Sequence, residues 1–288
     1  AILLKQGDMD WFDSVCHSLT TISSGGFSTR TSSLAGYSSH SQIVVTFFMA
    51  LSGCNFTLLL ITIVRTPLAL LRNEEFKHFL IMILTLSVLL ALLLIFVVKL
   101  SISNALRSSF FSVVSAVTTT GFFVCDYTLW PTALWGLLLL PMFIGACSGS
   151  TTGGFKCIRL VMVFKVLRNE FRRILHPNAV LPVKINGQTV PQQKLSTLLA
   201  FFAIFTFMVV IAATIMVVAG IDTTNATVIA LSCISNVGAS LSTEIGPVMS
   251  WSELPEYIKW TCSFLMLVGR LEIMSVLVLF TRAFWKDN

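Results

Sequence analysis

Ser115-Ala-Val-Thr-Thr-Thr-Gly-Phe-Phe123 is a short polar knot set between apolar segments long enough to cross a membrane. Two relatives of it stand elsewhere in the chain: Ser18-Leu-Thr-Thr-Ile-Ser-Ser-Gly-Gly-Phe-Ser28 and Leu231-Ser-Cys-Ile-Ser-Asn-Val-Gly-Ala-Ser240. Each is a Ser/Thr-rich helical run ending in a glycine, and the glycines that align are Gly26, Gly121 and Gly238. Non-helical backbone at membrane depth survives only where it is buried in protein or lines a watery path. Three such loops therefore imply a pore. Glycine takes positive φ without a Cβ clash, so successive carbonyls can turn toward one axis and replace the hydration shell of a cation. The hydroxyls before each glycine, among them Ser23, Ser24, Thr118, Thr119, Thr120 and Ser235, add oxygen ligands or tie each loop to its helix. The competing reading is that small residues merely pack helices together, and the threefold recurrence weighs against it.

Composition sets the class. The chain of 288 residues is 55% hydrophobic and 11% charged, with a mean hydropathy of +0.87, far more apolar than a soluble domain. Its seven cysteines are scattered without a CxxC pair and read as free thiols, and the four histidines are too far apart in sequence to suggest a ligand cluster. The net charge of +6 follows membrane topology. Of the 19 Lys and Arg, 13 fall in 65–77, 156–194 and 282–286, whereas most acids, including Asp8, Asp10, Asp13, Asp126 and Asp222, fall in the opposite connections. The pore loops thus enter from outside, and an acidic mouth concentrates cations.

Taken in order, the chain has no starting Met, and Ala1 reads as the tail of a preceding span. Trp11 to Thr21 is amphipathic and too short to span, which predicts a re-entrant half-crossing helix. Ile43 to Val64 and Phe79 to Val98 are apolar enough to cross, and Ser103 to Val117 is a second half-crossing helix. The next crossing, about Thr132 to Leu167, is interrupted by Gly145-Ala-Cys-Ser-Gly-Ser-Thr-Thr-Gly-Gly-Phe-Lys156, where Gly149, Gly153 and Gly154 each disfavour helix by nearly 1 kcal/mol relative to alanine. A phosphate-binding loop fails there on spacing, because Phe155 separates Gly154 from Lys156 and no strand precedes it. A polar, flexible segment with little side-chain bulk suits a gate, and a kinked helix is the simpler alternative. A basic loop follows, in which Asn186-Gly187 predicts a tight turn. Leu198 to Gly220 spans again, Thr223 to Ser235 is the third half-crossing helix, and Ile258 to Phe280 is the last crossing. Within it Arg270 is costly at membrane depth and faces protein or water, as a positive plug or in a structural ion pair. Glu272, two positions on, lies on another helix face and is no partner for it.

Pore helix, glycine loop and span, repeated with Thr-Thr-Gly-Phe, Gly-Gly-Phe-Ser and Asn-Val-Gly, resemble the Trk/Ktr/HKT superfamily of potassium transporters, and most closely its bacterial TrkH-type membrane subunit. The resemblance covers nearly the whole chain. It implies an all-α integral membrane fold of repeated membrane helix–pore loop–membrane helix units in pseudo-fourfold arrangement, three of them visible here and the first incomplete. The units are 1–77, 78–175 with its broken second helix, and 195–288, and a cytoplasmic basic loop occupies 176–194. A fourth pore loop is expected N-terminal to Ala1.

The resemblance further implies a selectivity filter with potassium at Gly26, Gly121 and Gly238. The first loop supplies Thr20, Ser24, Gly25, Gly26 and Phe27, and the second Thr119, Thr120, Gly121 and Phe122. The third supplies Asn236, Val237, Gly238 and Ala239. The implied gate is Gly145, Gly149, Ser150, Thr151, Thr152, Gly153, Gly154 and Lys156, closed with the help of Arg270. Also implied are a homodimer in the bacterial inner membrane, surrounded by lipid, and a cytosolic nucleotide-binding RCK-type, TrkA-like regulatory subunit. The nucleotide would reside only on that subunit, potassium is cargo, and neither a covalently bound cofactor nor a nucleic-acid partner is expected. Gated passive uptake of potassium is the expected function. Symport coupled to protons or sodium is the alternative, and an intramembrane enzyme is a poorer one because the polar loops recur instead of converging on one catalytic site.

Overall fold

The computed structural model describes residues 1–127, 130–179, 181–238, 251–282 and 284–286, apart from the side chains of Thr132 and Glu253. Those residues form helices with one small hairpin. A short turn of helix, α1 (Ile2–Lys5), leads into α2 (Trp11–Ile22), whose N-terminus is capped by Asp10 accepting from the Asp13 N–H at 2.7 Å. Ser38 caps α3 (Ser39–Ser52), Asn55 caps α4 (Phe56–Val64), and after α5 (Ala69–Arg72) Asn73 caps the long α6 (Glu74–Phe96). The second half-crossing helix is α7 (Ile102–Val117). It is followed by α8 (Thr132–Ile144) and α9 (Cys157–Leu175), separated by the glycine-rich interruption. Strands β1 (Lys184–Ile185) and β2 (Gln188–Thr189) pair around Asn186 (φ 50°) and Gly187 (φ 80°), the positive-φ pair of a tight hairpin turn. The chain continues through α10 (Gln192–Val218), α11 (Thr223–Ile234, capped by Asp222), α12 (Glu256–Arg270) and α13 (Ile273–Val278).

The half-crossing helices α7 and α11 are the centres of packing. α7 lies against α3, α6 and α8, and buries Phe111, Val113, Val114 and Val117. α11 lies against α10 and α12, and buries Ile229, Ala230, Cys233 and Ile234. Phe155, at the end of the interruption, stacks on Phe143 with ring centroids 5.7 Å apart and packs edge-on to Phe202 and Phe205. The outer faces run the other way: Ile81, Leu84, Val88, Leu89 and Leu92 of α6 all lie exposed. In water such a surface is unfavourable, and against lipid tails it is what a span requires. Helices α6 and α10 are long and apolar enough to cross a bilayer unbroken.

Two expected spans are broken. Ile43 to Val64 is two helices, α3 and α4, bent by 97°. The interruption between α8 and α9 docks into that bend. The Gly53 carbonyl accepts from the Cys147 N–H at 3.0 Å, the Phe56 N–H donates to the Gly149 carbonyl at 3.2 Å, and Asn55 Nδ2 donates to the Ser148 carbonyl at 2.7 Å. Backbone groups that a continuous helix would pair internally are paired here with a loop about ninety residues away. The last crossing also breaks, between α12 and α13, where Glu272 takes φ 65° and turns its carboxylate to Arg159 at 2.5 Å.

Candidate functional site

Helices α2, α7 and α11 end in the same way. The N–H groups of Ser24, Thr119 and Asn236 each reach back three residues, to the carbonyls of Thr21, Ala116 and Cys233. Those of Gly25, Thr120 and Val237 reach back five, to Thr20, Ser115 and Ser232, at 2.8, 3.0 and 3.0 Å. This is the Schellman cap, which satisfies the otherwise orphaned last carbonyls. Its left-handed residue is usually glycine; here it is Ser24 (φ 54°), Thr119 (φ 50°) and Asn236 (φ 58°). The aligned glycines Gly26, Gly121 and Gly238, at φ 67°, 84° and 80°, lie two residues further on. The expectation that each glycine terminates its helix is therefore corrected: a non-glycine residue does so, and the glycine makes a second left-handed step.

A left-handed non-glycine residue costs on the order of 1–2 kcal/mol and persists only where its surroundings fix it. Two of the three hydroxyl or amide side chains at these positions hydrogen-bond to the interruption itself or its neighbours. Ser24 Oγ lies 2.9 Å from Thr151 Oγ1, and Thr119 Oγ1 accepts from the Gly153 N–H at 2.8 Å. Asn236 packs against Gly153, where a Cβ would lie 3.1 Å from its own and directly on the Ser235 carbonyl oxygen. Residues 151–153 thus sit under the caps of all three half-crossing helices.

The loops also meet one another. A Cβ on Gly26 would strike the Thr120 carbonyl, so the first and second loops approach at a distance only glycine permits, at a φ only glycine adopts cheaply. Ser24, Gly25, Gly26 and Phe27, with Thr120 and Gly121, and with Asn236, Val237 and Gly238, share the wall of one cavity of about 690 Å³. Thr20, Thr119 and Phe122 lie off it. Thr20 Oγ1 donates to the Phe27 carbonyl at 3.0 Å and Ser115 Oγ to the Phe122 carbonyl at 2.7 Å, which ties each loop back to the third-last residue of its helix. Phe122 is buried beside His17, whose ring nitrogens contact the Asp13 carbonyl (2.7 Å) and Ser28 Oγ (2.9 Å). Ala239 lies outside the described residues.

In the interruption, Gly145, Gly149 and Gly154 have φ of 71°, 75° and 77°, and Lys156 has φ 79°. Ser150 Oγ bonds Thr152 Oγ1 at 2.7 Å, and the Lys156 ammonium donates to the Thr152 carbonyl. Arg270 Nη1 donates to the Thr151 carbonyl at 2.8 Å, and its side chain borders the large cavity as well. Arg270 and Glu272 are not partners. Sequence reasoning missed Glu75, a buried carboxylate near the start of α6 that accepts from the Ser148 N–H at 2.5 Å. It also missed Asn55. Their only local signal is polarity at the edge of an apolar run, which capping alone would explain.

Around the N-termini of α2 and α3 the acids are engaged. Asp13 accepts from Tyr37 Oη at 2.6 Å and Thr29 Oγ1 at 2.7 Å. Asp8 accepts from Ser41 Oγ, Ser38 Oγ and the Ser38 N–H at 2.6–2.7 Å. Partial burial opposes ionisation of Asp8, yet these bonds outweigh it and hold its pKa below the ordinary 3.8.

A family model for TrkH, described as a cation transport protein, covers residues 2–287, the three caps and their glycines among them. The chain belongs to the TrkH family. Among TrkH relatives, the Trk system potassium uptake protein TrkH of Escherichia coli K12 is 34% identical over 290 residues, covering 100% of this chain and 59% of the relative. TrkG of the same strain is 31% identical, covering 99% and 59%. The crystal structure of the potassium transporter TrkH from Vibrio parahaemolyticus superposes with a TM-score of 0.91 at 31% identity, covering 99% of this chain and 63% of that one. The chain therefore spans about three-fifths of the length of these TrkH-family proteins.

Proposed function

We propose that this chain builds three quarters of a gated potassium-uptake pore in the bacterial cytoplasmic membrane. One observation carries the reading: three half-crossing helices end in the same left-handed cap, and their glycine steps converge on one cavity. Potassium sheds water at the carbonyls of the loop residues that line the cavity, Ser23 to Gly26, Thr120 and Gly121, and Asn236 to Gly238, with a fourth quarter supplied from outside residues 1–288. The partly negative C-terminal ends of α2, α7 and α11 favour a cation there. The ion then passes the interruption 145–156 and Arg270, which form the gate.

Potassium as cargo is supported by relatives named potassium uptake proteins. In this reading residues 1–77, 78–175 and 195–288 are the quarters, and the basic loop 176–194 faces the cytoplasm. A homodimer and a nucleotide-binding RCK-type, TrkA-like subunit complete the assembly, in keeping with relatives that belong to a Trk system. The test is rubidium uptake into liposomes holding protein purified from its host membrane, with sodium as competitor, for wild type and Gly121→Ser. Passive uptake that prefers potassium and rubidium, and loses that preference in the variant, is expected. Absence of flux, unaltered selectivity, or dependence on a proton or sodium gradient would sink it.

A further inference from the structure

A second cavity, of about 260 Å³, has the interruption as one wall and the α12–α13 break as another. Its lining carries three cations, Lys156, Arg159 and Arg270, and one carboxylate, Glu272. Arg159 is matched: it pairs with Glu272 at 2.5 Å and lies over the Phe201 ring at 4.1 Å. Lys156 and Arg270 form no ion pair with a carboxylate among the described residues: Lys156 donates to the carbonyl and hydroxyl of Thr152, and Arg270 donates to the carbonyl of Thr151. Glu75 and Glu272 both act on Lys156 at longer range, yet the three cations still outnumber the two carboxylates, so the surroundings keep a net positive charge. Uncompensated cations among spans are costly, and basic pockets between membrane helices suit anionic head groups. Glycines at 149, 153, 154 and 269 leave backbone as much of the wall, with room for a tetrahedral oxyanion. A phosphate group offers several charged acceptor oxygens to two donors whose present acceptors are all neutral.

We propose that this cavity binds a phosphate group, held by Lys156 and Arg270, with Arg159 at its edge. The same chemistry is carried by free phosphate and by an anionic phospholipid. The test is calorimetric titration of the purified, delipidated protein with inorganic phosphate, alongside native mass spectrometry after exposure to phosphatidylglycerol or phosphatidylcholine. Saturable binding of phosphate, or retention of phosphatidylglycerol over phosphatidylcholine, is expected, and whichever occurs identifies the source. Lys156→Gln should weaken that binding at least tenfold. Glu272→Gln should strengthen it severalfold, because it removes the competing carboxylate and frees Arg159, a gain that misfolding cannot imitate. No binding in either arm, or binding indifferent to both variants, overturns the proposal. Neither readout uses ion flux, so the outcome is separate from that of the pore reading.

Discussion

Thr119 Oγ1 accepts a hydrogen bond from the Gly153 N–H at 2.8 Å, across 34 residues of sequence and wholly within the protein interior. The bond joins the left-handed cap of α7 to the interruption between α8 and α9. A conformational demand in one loop is thereby met by a polar demand in another. Thr119→Val keeps the shape and leaves a buried N–H unpaired, at a cost of about 1–3 kcal/mol. Thr119→Ser keeps the acceptor and should melt close to wild type. Thermal unfolding of the two variants in the same detergent decides it.

Gly153 has no room for a side chain, because a Cβ would fall on the Ser235 carbonyl. Gly153→Ala is expected to displace residues 151–153 or prevent folding. Gly136, inside α8 with nothing within 4 Å of a built Cβ, is the internal control. Gly136→Ala should be neutral or stabilising by up to about 1 kcal/mol. Equal melting temperatures for the two variants would refute the packing argument.

Glu75 holds the Ser148 N–H from behind the interruption. Glu75→Ala should lower stability by about 1–3 kcal/mol, and Glu75→Gln, which keeps an amide oxygen as acceptor, by less. Hydrogen exchange is the sharper measurement: protection at Ser148 should fall in the alanine variant while protection in the middle of α6 is retained.

Because the folded pKa of Asp8 is lowered, its ionised form contributes stability above the ordinary value of 3.8. That contribution is lost as pH falls through the folded pKa. Asp8→Asn should therefore melt below wild type at pH 6, and the two curves should converge below about pH 3.8. A gap unchanged at low pH would show that Asp8 acts through shape alone.

Arg270 donates to the Thr151 carbonyl and borders the cavity that the three loops share. On the pore reading, Arg270→Ala removes both a positive charge and a tether, and rubidium flux should rise severalfold, with Arg270→Lys in between. Unchanged or reduced flux in well-folded Arg270→Ala would argue against a closing role.

Much of this was legible in order along the chain. The half-crossing helices were expected at Trp11 to Thr21, Ser103 to Val117 and Thr223 to Ser235, and they stand at Trp11–Ile22, Ile102–Val117 and Thr223–Ile234. Length, apolarity and the Asp222 cap are local signals. The Asn186-Gly187 turn was equally local. The caps were read less well, since the glycines drew attention from Ser24, Thr119 and Asn236, which carry the first positive φ. A short polar residue two places before each aligned glycine was the available clue.

By itself the sequence determined the membrane class, the threefold recurrence, the glycines and the interruption, because each follows from hydropathy, backbone freedom or spacing within a few residues. Only the tertiary structure decided that α3 and α4 bend by 97°, that Glu272 leaves its helix for Arg159, and that residues 151–153 lie beneath three caps. The physical reason is pairing. Backbone N–H and C=O groups must be satisfied, and a helix yields to a break only when partners arrive from elsewhere in the fold. Here those partners, Ser148, Gly149 and Cys147 at the bend, lie roughly ninety residues away, and the side-chain ion pair of Glu272 with Arg159 at the last break spans more than a hundred, beyond the reach of any local pattern.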